Sequence, residues 1–234
     1  MSNRIRGSIP RKAKEVAHYL NGEKVSAEYF VRGKLVGRRS WHANGQLDIE
    51  WSYRNGHPHG LWREWHENGQ LFSQTQYKNR YEHGQALQWN REGRLIGGYR
   101  LNMGTGVDLW WGYSDHYPSE EHHLLNGLPH GFERWWSSRA RIYSEDHWFN
   151  GERHGISRRW TDHRLDRGYP EFYISGKRTT KREYLKAAKN DATLPAYDLK
   201  DDSPRRKPLS LPLDGPRRLV GQIVKNAAHA RYTK

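Results

Sequence analysis

Short runs of alternating apolar and polar residues follow one another along most of this chain. In the clearest segment, residues 61–66 read Leu-Trp-Arg-Glu-Trp-His and residues 71–77 read Leu-Phe-Ser-Gln-Thr-Gln-Tyr, with Glu-Asn-Gly-Gln between them. Runs of this length that are rich in aromatic and β-branched residues predict β-strands. Because Asn-Gly readily adopts the positive φ angles of a tight turn, the segment as a whole predicts a β-hairpin.

The same pattern returns about every 24 residues. His-Gly pairs begin at residues 59, 83, 130 and 154, so the steps between them are 24, 47 and 24 residues. A fixed period of this size indicates a repeat architecture in which successive hairpins pair, and it predicts an all-β meander of about a dozen antiparallel strands. Two further columns share this period, a Trp before the turn and a Leu after it: Trp41, Trp65, Trp89, Trp136 and Trp160, and Leu47, Leu71 and Leu95.

Each predicted strand has two faces, because successive side chains point to opposite sides of a sheet. Leu61, Arg63 and Trp65 share a face whose residues change little between copies, and we call it the constant face. We expect the constant face to pack as the core. The opposite side, which we call the variable face, carries Trp62 and Glu64 in this copy and different residues in others. We expect the variable face to be available for recognition.

Composition divides the chain into four predicted segments. These are a basic arm over residues 1–18, the repeat array over 19–176, a capping helix over 177–191, and a basic, Pro-rich, disordered tail over 192–234. Thr180 and Glu183 have the spacing of a capping box, which places a helix start there. Charge and proline dominate the segment after residue 192, a composition typical of disorder.

The net charge of +14 belongs mainly to the two ends, because residues 19–175 hold 20 basic and 19 acidic side chains. The chain has no Cys, which excludes disulfides and thiolate metal sites. No apolar run approaches the ~20 residues of a membrane span, and the first residues lack the apolar core of a secretory signal. We therefore expect a cytoplasmic protein.

The recurring Asn-Gly, His-Gly-x-x-x-x-Trp and Asn-Gly-Gln-Leu elements, as in residues 55–71, resemble the MORN-variant repeats of bacterial YwqK-type proteins. Members of that family are commonly assigned as antitoxins. The resemblance covers residues 19 to about 176 and weakens over 102–121, where Asn-Gly and His-Gly are both lost. It implies an elongated, twisted single sheet of stacked hairpins, and it offers no catalytic motif or cofactor.

We predict a non-catalytic scaffold that binds and occludes another protein, as an antitoxin or immunity protein does. Trp and Arg on the variable face are the residue types that dominate protein-binding hot spots. The candidate partner-binding residues are Trp62, His66, Trp110, Trp135 and Arg159.

Two alternatives remain open. The basic ends could bind nucleic acid or an anionic membrane, because Arg and Lys neutralise phosphates; the candidate residues are Arg205, Arg206, Lys207, Arg217 and Arg218. An enzyme could use paired carboxylates of the irregular copy, namely Asp108, Asp115, Glu120 and Glu121. We expect a solvated loop there. The histidines of the His-Gly pairs recur with the repeat, so we expect them to be turn residues and predict no metal site.

Overall fold

The computed structural model describes residues 9–112, 117–137 and 141–205. The chain forms two compact units, Met1–Gly104 and Thr105–Lys234. The described part of the first unit is one antiparallel sheet whose strands pair in chain order, with β7 beside β6. Its strands are β1 (Lys14–Leu20), β2 (Glu23–Val31), β3 (Lys34–Trp41), β4 (Leu47–Arg54), β5 (His57–Trp65), β6 (Leu71–Lys78), β7 (Tyr81–Glu82), β8 (Gly84–Trp89) and β9 (Leu95–Leu101).

The second unit contains a second antiparallel sheet, again paired in chain order, followed by one short helix. Its described strands are β10 (Gly106–Trp110), β11 (Glu120–Leu125), β12 (Leu128–Trp136), β13 (Ile142–Phe149), β14 (Glu152–Arg153), β15 (Gly155–Thr161), β16 (Arg164–Leu165), β17 (Glu171–Ile174) and β18 (Lys177–Thr179). The helix is α1 (Lys181–Ala187), and a 3-10 turn covers Leu199–Asp202.

The predicted all-β class with one short helix is confirmed. The hairpins divide between two sheets, however, instead of forming the single sheet that we expected. The division falls between β9 and β10, inside the stretch where the sequence loses its Asn-Gly and His-Gly turns. A connection of nine residues, 111–119, then replaces a tight turn between β10 and β11. Between β9 and β10 the chain still makes a tight turn at Met103-Gly104, with φ angles of 51° and 73°, so the division does not come from a loss of turn geometry there.

The two sequence columns are cross-strand partners. Each Trp before the turn pairs with the apolar residue that follows the turn, as Trp65 does with Leu71. In four of the hairpins a register shift lies directly before the Trp. This arrangement confirms the predicted hairpins. The other pairs are Trp41 with Leu47, Trp89 with Leu95, Trp136 with Ile142 and Trp160 with Leu165.

Side chains in the turns tie each hairpin to the next. The His66 ring donates from Nε2 to the carbonyl oxygen of Trp89 at 3.1 Å, and Asn68 donates from Nδ2 to the carbonyl oxygen of Arg91 at 2.8 Å. The preceding copy repeats both bonds, from His42 to Trp65 at 2.9 Å and from Asn44 to Glu67 at 2.7 Å. The 24-residue period is therefore also a period of hydrogen bonds between copies.

The histidines of the His-Gly pairs make a second set of links. Each accepts at Nδ1 a hydrogen bond from a backbone N–H about twenty residues further along the chain. Their role is therefore structural, but His59 and His130 lie within β5 and β12, so the expectation that all four are turn residues is wrong for these two. The donors are the backbone N–H of Asn79 to His59 at 3.4 Å, Met103 to His83 at 3.3 Å, Asn150 to His130 at 3.4 Å and Ser175 to His154 at 3.0 Å.

The constant face carries a ladder of alternating charge in each sheet. In the second sheet the ladder runs through Glu121, Arg134, Glu145 and Arg158 on four neighbouring strands. Arg134 is 4%, Glu145 0% and Arg158 2% exposed, and consecutive members are paired at 2.9–3.1 Å. The equivalent ladder in the first sheet is Arg39, Glu50, Arg63 and Gln74. This ladder explains why Arg63, Arg134 and Arg158 recur at the same position of the repeat.

Burial of the constant face differs between the two sheets. In the second sheet it is core as predicted, with Trp136 1% and Trp160 5% exposed. In the first sheet Leu61, Arg63 and Trp65 are only half-buried, so their assignment to the core is corrected. The most buried side chains of β6 and β8 lie instead on the variable face: Ser73, Thr75, Ala86 and Gln88.

Segments that we expected to lie outside the repeats cover part of the constant face in each unit. In the first unit, Ile9 packs with Ala27 and Tyr29, and residues 14–18 belong to β1, so the arm predicted over residues 1–18 is part of the folded unit from residue 9 and of the sheet from residue 14. Ile9 lies so close to Gly37 that a Cβ there would meet its Cγ1 at 2.3 Å. A larger residue at position 37 would displace this cover.

The second unit is closed by α1 and the residues after it. Thr180 and Glu183 form the predicted capping box, and Tyr184 packs on Phe172 of β17 at a centroid distance of 5.1 Å. Leu194 is 4% exposed in the same cluster, and Tyr184 donates its hydroxyl to the carbonyl oxygen of Pro195 at 2.6 Å. The disordered tail predicted from residue 192 is therefore wrong for residues 192–205. Residues 206–234 lie outside the described residues.

Candidate partner-binding surface

Trp62 belongs to an aromatic ladder on the variable face of the first sheet. In register it lies between Trp51 of β4 and Thr75 of β6. Its ring centroid is 5.2 Å from that of Trp51 and 5.4 Å from that of Tyr77, and the Tyr77 ring is stacked at an interplanar angle of 28°. All three rings are half-buried. The neighbours hold Trp62 in one orientation and leave part of its ring accessible.

A groove of about 280 Å³ adjoins this ladder on the N-terminal side. Trp51 forms one end of it, and Glu28 and Arg38 lie across its floor as an ion pair, with Nη2 of Arg38 2.8 Å from Oε1 of Glu28. The groove therefore contains a polar pair that is already compensated, and most of its other lining residues are polar as well. Its other lining residues include His18, Ser26, Ser40 and Ile49.

Three of the five candidate residues fall on a single line across the second sheet. Strand register places Trp110, Glu120, Trp135, Ser144 and Arg159 side by side on five neighbouring strands. We call this line the tryptophan row. Nothing in the sequence shows that residues 110 and 159 share a row, since their alignment depends on the register shifts within the sheet.

A second line of polar residues runs beside the tryptophan row on the same face. It consists of Asp108, His122, Glu133 and Asp146, and we call it the acidic row. Nδ1 of His122 lies 2.7 Å from Oδ1 of Asp108, and Nε2 lies 3.7 Å from Oε2 of Glu120 in the tryptophan row. Burial disfavours the charged imidazole, but the hydrogen bond and charge of Asp108, together with the other carboxylates, outweigh it and raise the pKa of His122.

Trp and Glu exchange places on the variable face of the two sheets. Trp62 donates its indole N–H to Oε1 of Glu64 at 3.1 Å, and Trp135 donates to Oε1 of Glu133 at 3.2 Å. Within the repeat, Trp62 occupies the position of Glu133, and Glu64 occupies that of Trp135. When the copies are compared by sequence, both positions differ. In the structure, both copies contain the same hydrogen bond between a Trp indole and a Glu carboxylate, with the two residue types at swapped positions.

His66 and Arg159 also make bonds within their own sheets. His66 bonds the Trp89 carbonyl oxygen, as described above, and contacts Phe72 edge-on at 4.9 Å, so it serves the hairpin turn. Arg159 holds Asp146 through Nη2 at 2.6 Å and keeps part of its side chain exposed. Arg205 is exposed. The other phosphate-binding candidates lie outside the described residues: Arg206, Lys207, Arg217 and Arg218.

The four carboxylates of the enzyme alternative are not brought together. Glu121 lies on the constant face and pairs with Arg134, whereas Asp108 and Glu120 lie on the variable face beside His122. Asp115 lies outside the described residues. Across the described ranges, no group of three or more His, Asp or Glu side chains is arranged to hold a metal ion.

Residues 38–55 and 58–79 match the sequence model of the MORN repeat variant family. The matched segments run from within β3 to the turn after β6, so they include Trp62 and its aromatic neighbours. This identifies MORN-type repeats in the chain; such repeats are generally non-enzymatic modules that bind proteins or membranes. Comparison with curated proteins gives no match. Within the described residues, no helix is long and apolar enough to cross a membrane.

Proposed function

We propose that this chain is a cytoplasmic, protein-binding repeat scaffold of the antitoxin or immunity type, which covers the functional surface of a partner protein with its variable face. The tryptophan row is the observation that carries the proposal. It aligns two indoles and a guanidinium on a framework of paired strands, so these groups are fixed before a partner arrives. Fixing side chains beforehand lowers the entropy lost on binding.

The size of the row suits a protein partner. Neighbouring strands are about 4.8 Å apart, so the five strands of the row span about 19 Å, which fits within the width of about 30 Å of a round patch of about 800 Å² on one side of a standard protein interface. Trp and Arg are also the residues that contribute most to such interfaces. Trp62 and its stacked neighbours provide a second aromatic patch of the same kind in the first sheet.

Capture of the natural partner tests this proposal. Tagged wild-type chain and the double variant Trp62→Ala with Trp135→Ala are expressed in the native cell, and co-purified protein is quantified. We expect partner recovery to fall at least tenfold in the double variant, whereas its circular-dichroism spectrum is retained. Tyr19→Ala, which removes a 65% exposed ring from β1, is the matched control and should recover the partner normally. Equal recovery in all three proteins contradicts the proposal.

A second candidate function is favoured by the outer surface of α1. Lys181, Arg182, Lys186 and Lys189 surround the 38% exposed Leu185 there. This basic surface suits an adaptor for nucleic acid or an anionic membrane. Such binding falls steeply with salt and needs these cations. Vesicles with and without phosphatidylserine, and a DNA duplex, test it against the variant Lys186→Glu with Lys189→Glu; unchanged binding in that variant contradicts it.

A further inference from the structure

We propose that the acidic row of the second sheet receives an arginine side chain of the partner protein. The inference rests on the proposed function, because it names the chemistry of the partner at one part of the variable face. An arginine-bearing segment would place its guanidinium against the carboxylates of Asp108, Glu120 and Glu133, beside the indole of Trp135.

The first argument is a local surplus of negative charge. Within the described residues, Asp108 and Glu120 have His122 as their ion-pair partner, and Glu133 accepts the indole N–H of Trp135. Three carboxylates thus face one imidazole, so the charge stays negative even when His122 is protonated. The surplus is unusual in a chain of net charge +14, and it extends along the sequence, since residues 101–150 hold seven acidic and three basic side chains.

The second argument is a buried oxygen that lacks a donor. Asp146 is 4% exposed and is the cross-strand neighbour of Glu133 in the acidic row. Its Oδ2 accepts from Nη2 of Arg159 at 2.6 Å, but its Oδ1 has no hydrogen-bond partner among the described residues. Buried carboxylate oxygens are normally paired. Arg153 also approaches Oδ2, at 3.7 Å, so both neighbouring guanidinium groups address the same oxygen and Oδ1 stays unbonded at the end of the acidic row.

The third argument concerns geometry and selects arginine over lysine. The ring of His122 lies 5.7 Å from that of Trp135, and the indole N–H of Trp135 is held by Glu133, so an aromatic surface and several carboxylate oxygens adjoin. A guanidinium group stacks on an indole while its planar fork bonds carboxylates, and it is less strongly hydrated than an ammonium group. An ammonium group lacks this planar fork.

The direction of the pKa shift of Glu120 is in line with this arrangement of charges. Burial, followed by the charges of Asp108 and Glu133, raises the pKa of the Glu120 carboxyl above its usual value, although His122 opposes the shift. A cation placed among these groups would favour the ionised carboxyl and reverse the shift.

The first sheet shows that this surplus is not a general property of the repeats. There Glu64 is held by the indole of Trp62 and by the hydroxyl of Ser73 at 3.1 Å, and Glu28 pairs with Arg38. On the variable face of the first sheet Glu28 is thus paired with a guanidinium and Glu64 is bonded by two neutral donors, whereas three carboxylates share one imidazole in the second sheet. The inference is therefore confined to the second sheet.

A labelled peptide measures the recognition directly. A fluorescein-labelled Gly-Arg-Gly-Arg-Gly peptide is titrated with the full chain and followed by fluorescence anisotropy, beside the same peptide with Lys in place of Arg. We expect saturable binding of the arginine peptide and at least threefold weaker binding of the lysine peptide. Absence of saturable arginine-peptide binding, or equal affinity for both peptides, overturns the proposal.

Variants locate the binding on the acidic row. Glu120→Gln with Glu133→Gln should weaken the arginine peptide at least tenfold, and Glu120→Gln alone, which leaves the bond between Glu133 and Trp135 intact, should weaken it about threefold. Glu67→Gln with Glu92→Gln changes the net charge equally, at exposed hairpin turns, and should have no effect. Equal weakening by both double variants would show unspecific attraction and overturn the proposal.

Partner capture separates this proposal from the previous one. If the chain with Glu120→Gln and Glu133→Gln recovers the natural partner normally, while the chain with Trp62→Ala and Trp135→Ala loses it, the scaffold function stands and the arginine recognition is wrong. If both double variants lose the partner, both proposals are supported.

Discussion

Arg134 and Glu145 form an ion pair inside the second sheet, with Nε 2.9 Å from Oε2 and neither side chain more than 5% exposed. The other oxygen of Glu145 accepts from Nη1 of Arg158 at 2.9 Å, so this carboxylate lies between two guanidinium groups. Glu50 lies in the same way between Arg39 and Arg63 in the first sheet, where both arginines remain about one-third exposed. The arginines of the two ladders therefore differ in burial, although Arg63 and Arg134 occupy the same position of the repeat.

This pair of environments predicts different costs for the same substitution. Arg134→Ala leaves Glu145 and Glu121 buried without one of their partners and should lower the free energy of unfolding by about 3–5 kcal/mol. Arg63→Ala removes a longer ion pair, 3.4 Å, made by a partly exposed guanidinium, and the buried Glu50 keeps Arg39 at 2.6 Å, so this substitution should cost about 1 kcal/mol or less. Urea unfolding of both variants measures the difference. Equal midpoints would contradict the burial of the second ladder.

The two Trp residues at the same repeat position should also differ. Trp136 is 1% exposed and packs with Ile142 and Trp160, so Trp136→Ala should cost about 3–5 kcal/mol. Trp65 is only half-buried, and Trp65→Ala should cost clearly less. Thermal unfolding followed by circular dichroism compares them. A larger loss for Trp65 would mean that the constant face of the first sheet is more enclosed than we describe.

The hydrogen bond from His66 to the Trp89 carbonyl oxygen should contribute to stability rather than to recognition. We expect His66→Ala to lower the free energy of unfolding by about 0.5–1.5 kcal/mol, since it removes one hydrogen bond between neighbouring hairpins. Amide exchange should speed up around residues 89–91 in particular. His57→Ala, at an exposed position of β5, is the control. Partner capture that falls in His66→Ala while stability is retained would assign His66 to the interface.

The segment after α1 should behave as part of the fold. Leu194 is 4% exposed against Ile156, Phe172 and Tyr184, and Leu194→Ala should cost about 2–5 kcal/mol. Leu199→Ala changes the same side chain type at a position that is 72% exposed, and it should be nearly neutral. Denaturant unfolding of the two variants provides the comparison. A neutral effect at Leu194 would restore the view of this segment as a tail.

Stability should depend on pH through His122. Burial opposes its charge, but Asp108 and the other carboxylates raise its pKa in the folded state, so its contribution is complete below the unfolded value of about 6.5 and is lost as pH rises through the folded pKa. The melting temperature of the wild type should therefore exceed that of His122→Gln more at about pH 6 than at about pH 9. In an Asp108→Asn background this pH dependence should shrink. An advantage that grows with pH would have the wrong sign.

Features of the fold that depend only on residues close together in the chain could be predicted from the sequence. The Asn68-Gly69 turn fixes one hairpin, and the pairing of Trp65 with Leu71 follows from that turn alone. The capping box at Thr180 is equally local. These features repeat because each copy contains all the residues that form them.

Contacts between distant segments could not be predicted in this way. Ile9 on Ala27 and Leu194 on Ile156 join a constant face to residues outside the repeats, and neither residue carries a periodic signal. The alignment of Trp110 with Arg159 depends on the registers of the intervening strands, including the shifts at single positions. The exchange of Trp and Glu between the two sheets could not be recognised from the sequence, because the contact between the two side chains is the same in both copies while the residue at each position differs.

The alternation of charge along the constant face restricts how such a chain can lengthen. Arg39, Glu50 and Arg63 change sign at every strand, and a tandem duplication of one hairpin would insert two strands and leave that order intact. An odd number of added strands would put like charges side by side. Duplications in whole 24-residue units therefore preserve the ion pairing of the ladder, whereas a copy that is out of phase by one strand would lower the stability of the sheet.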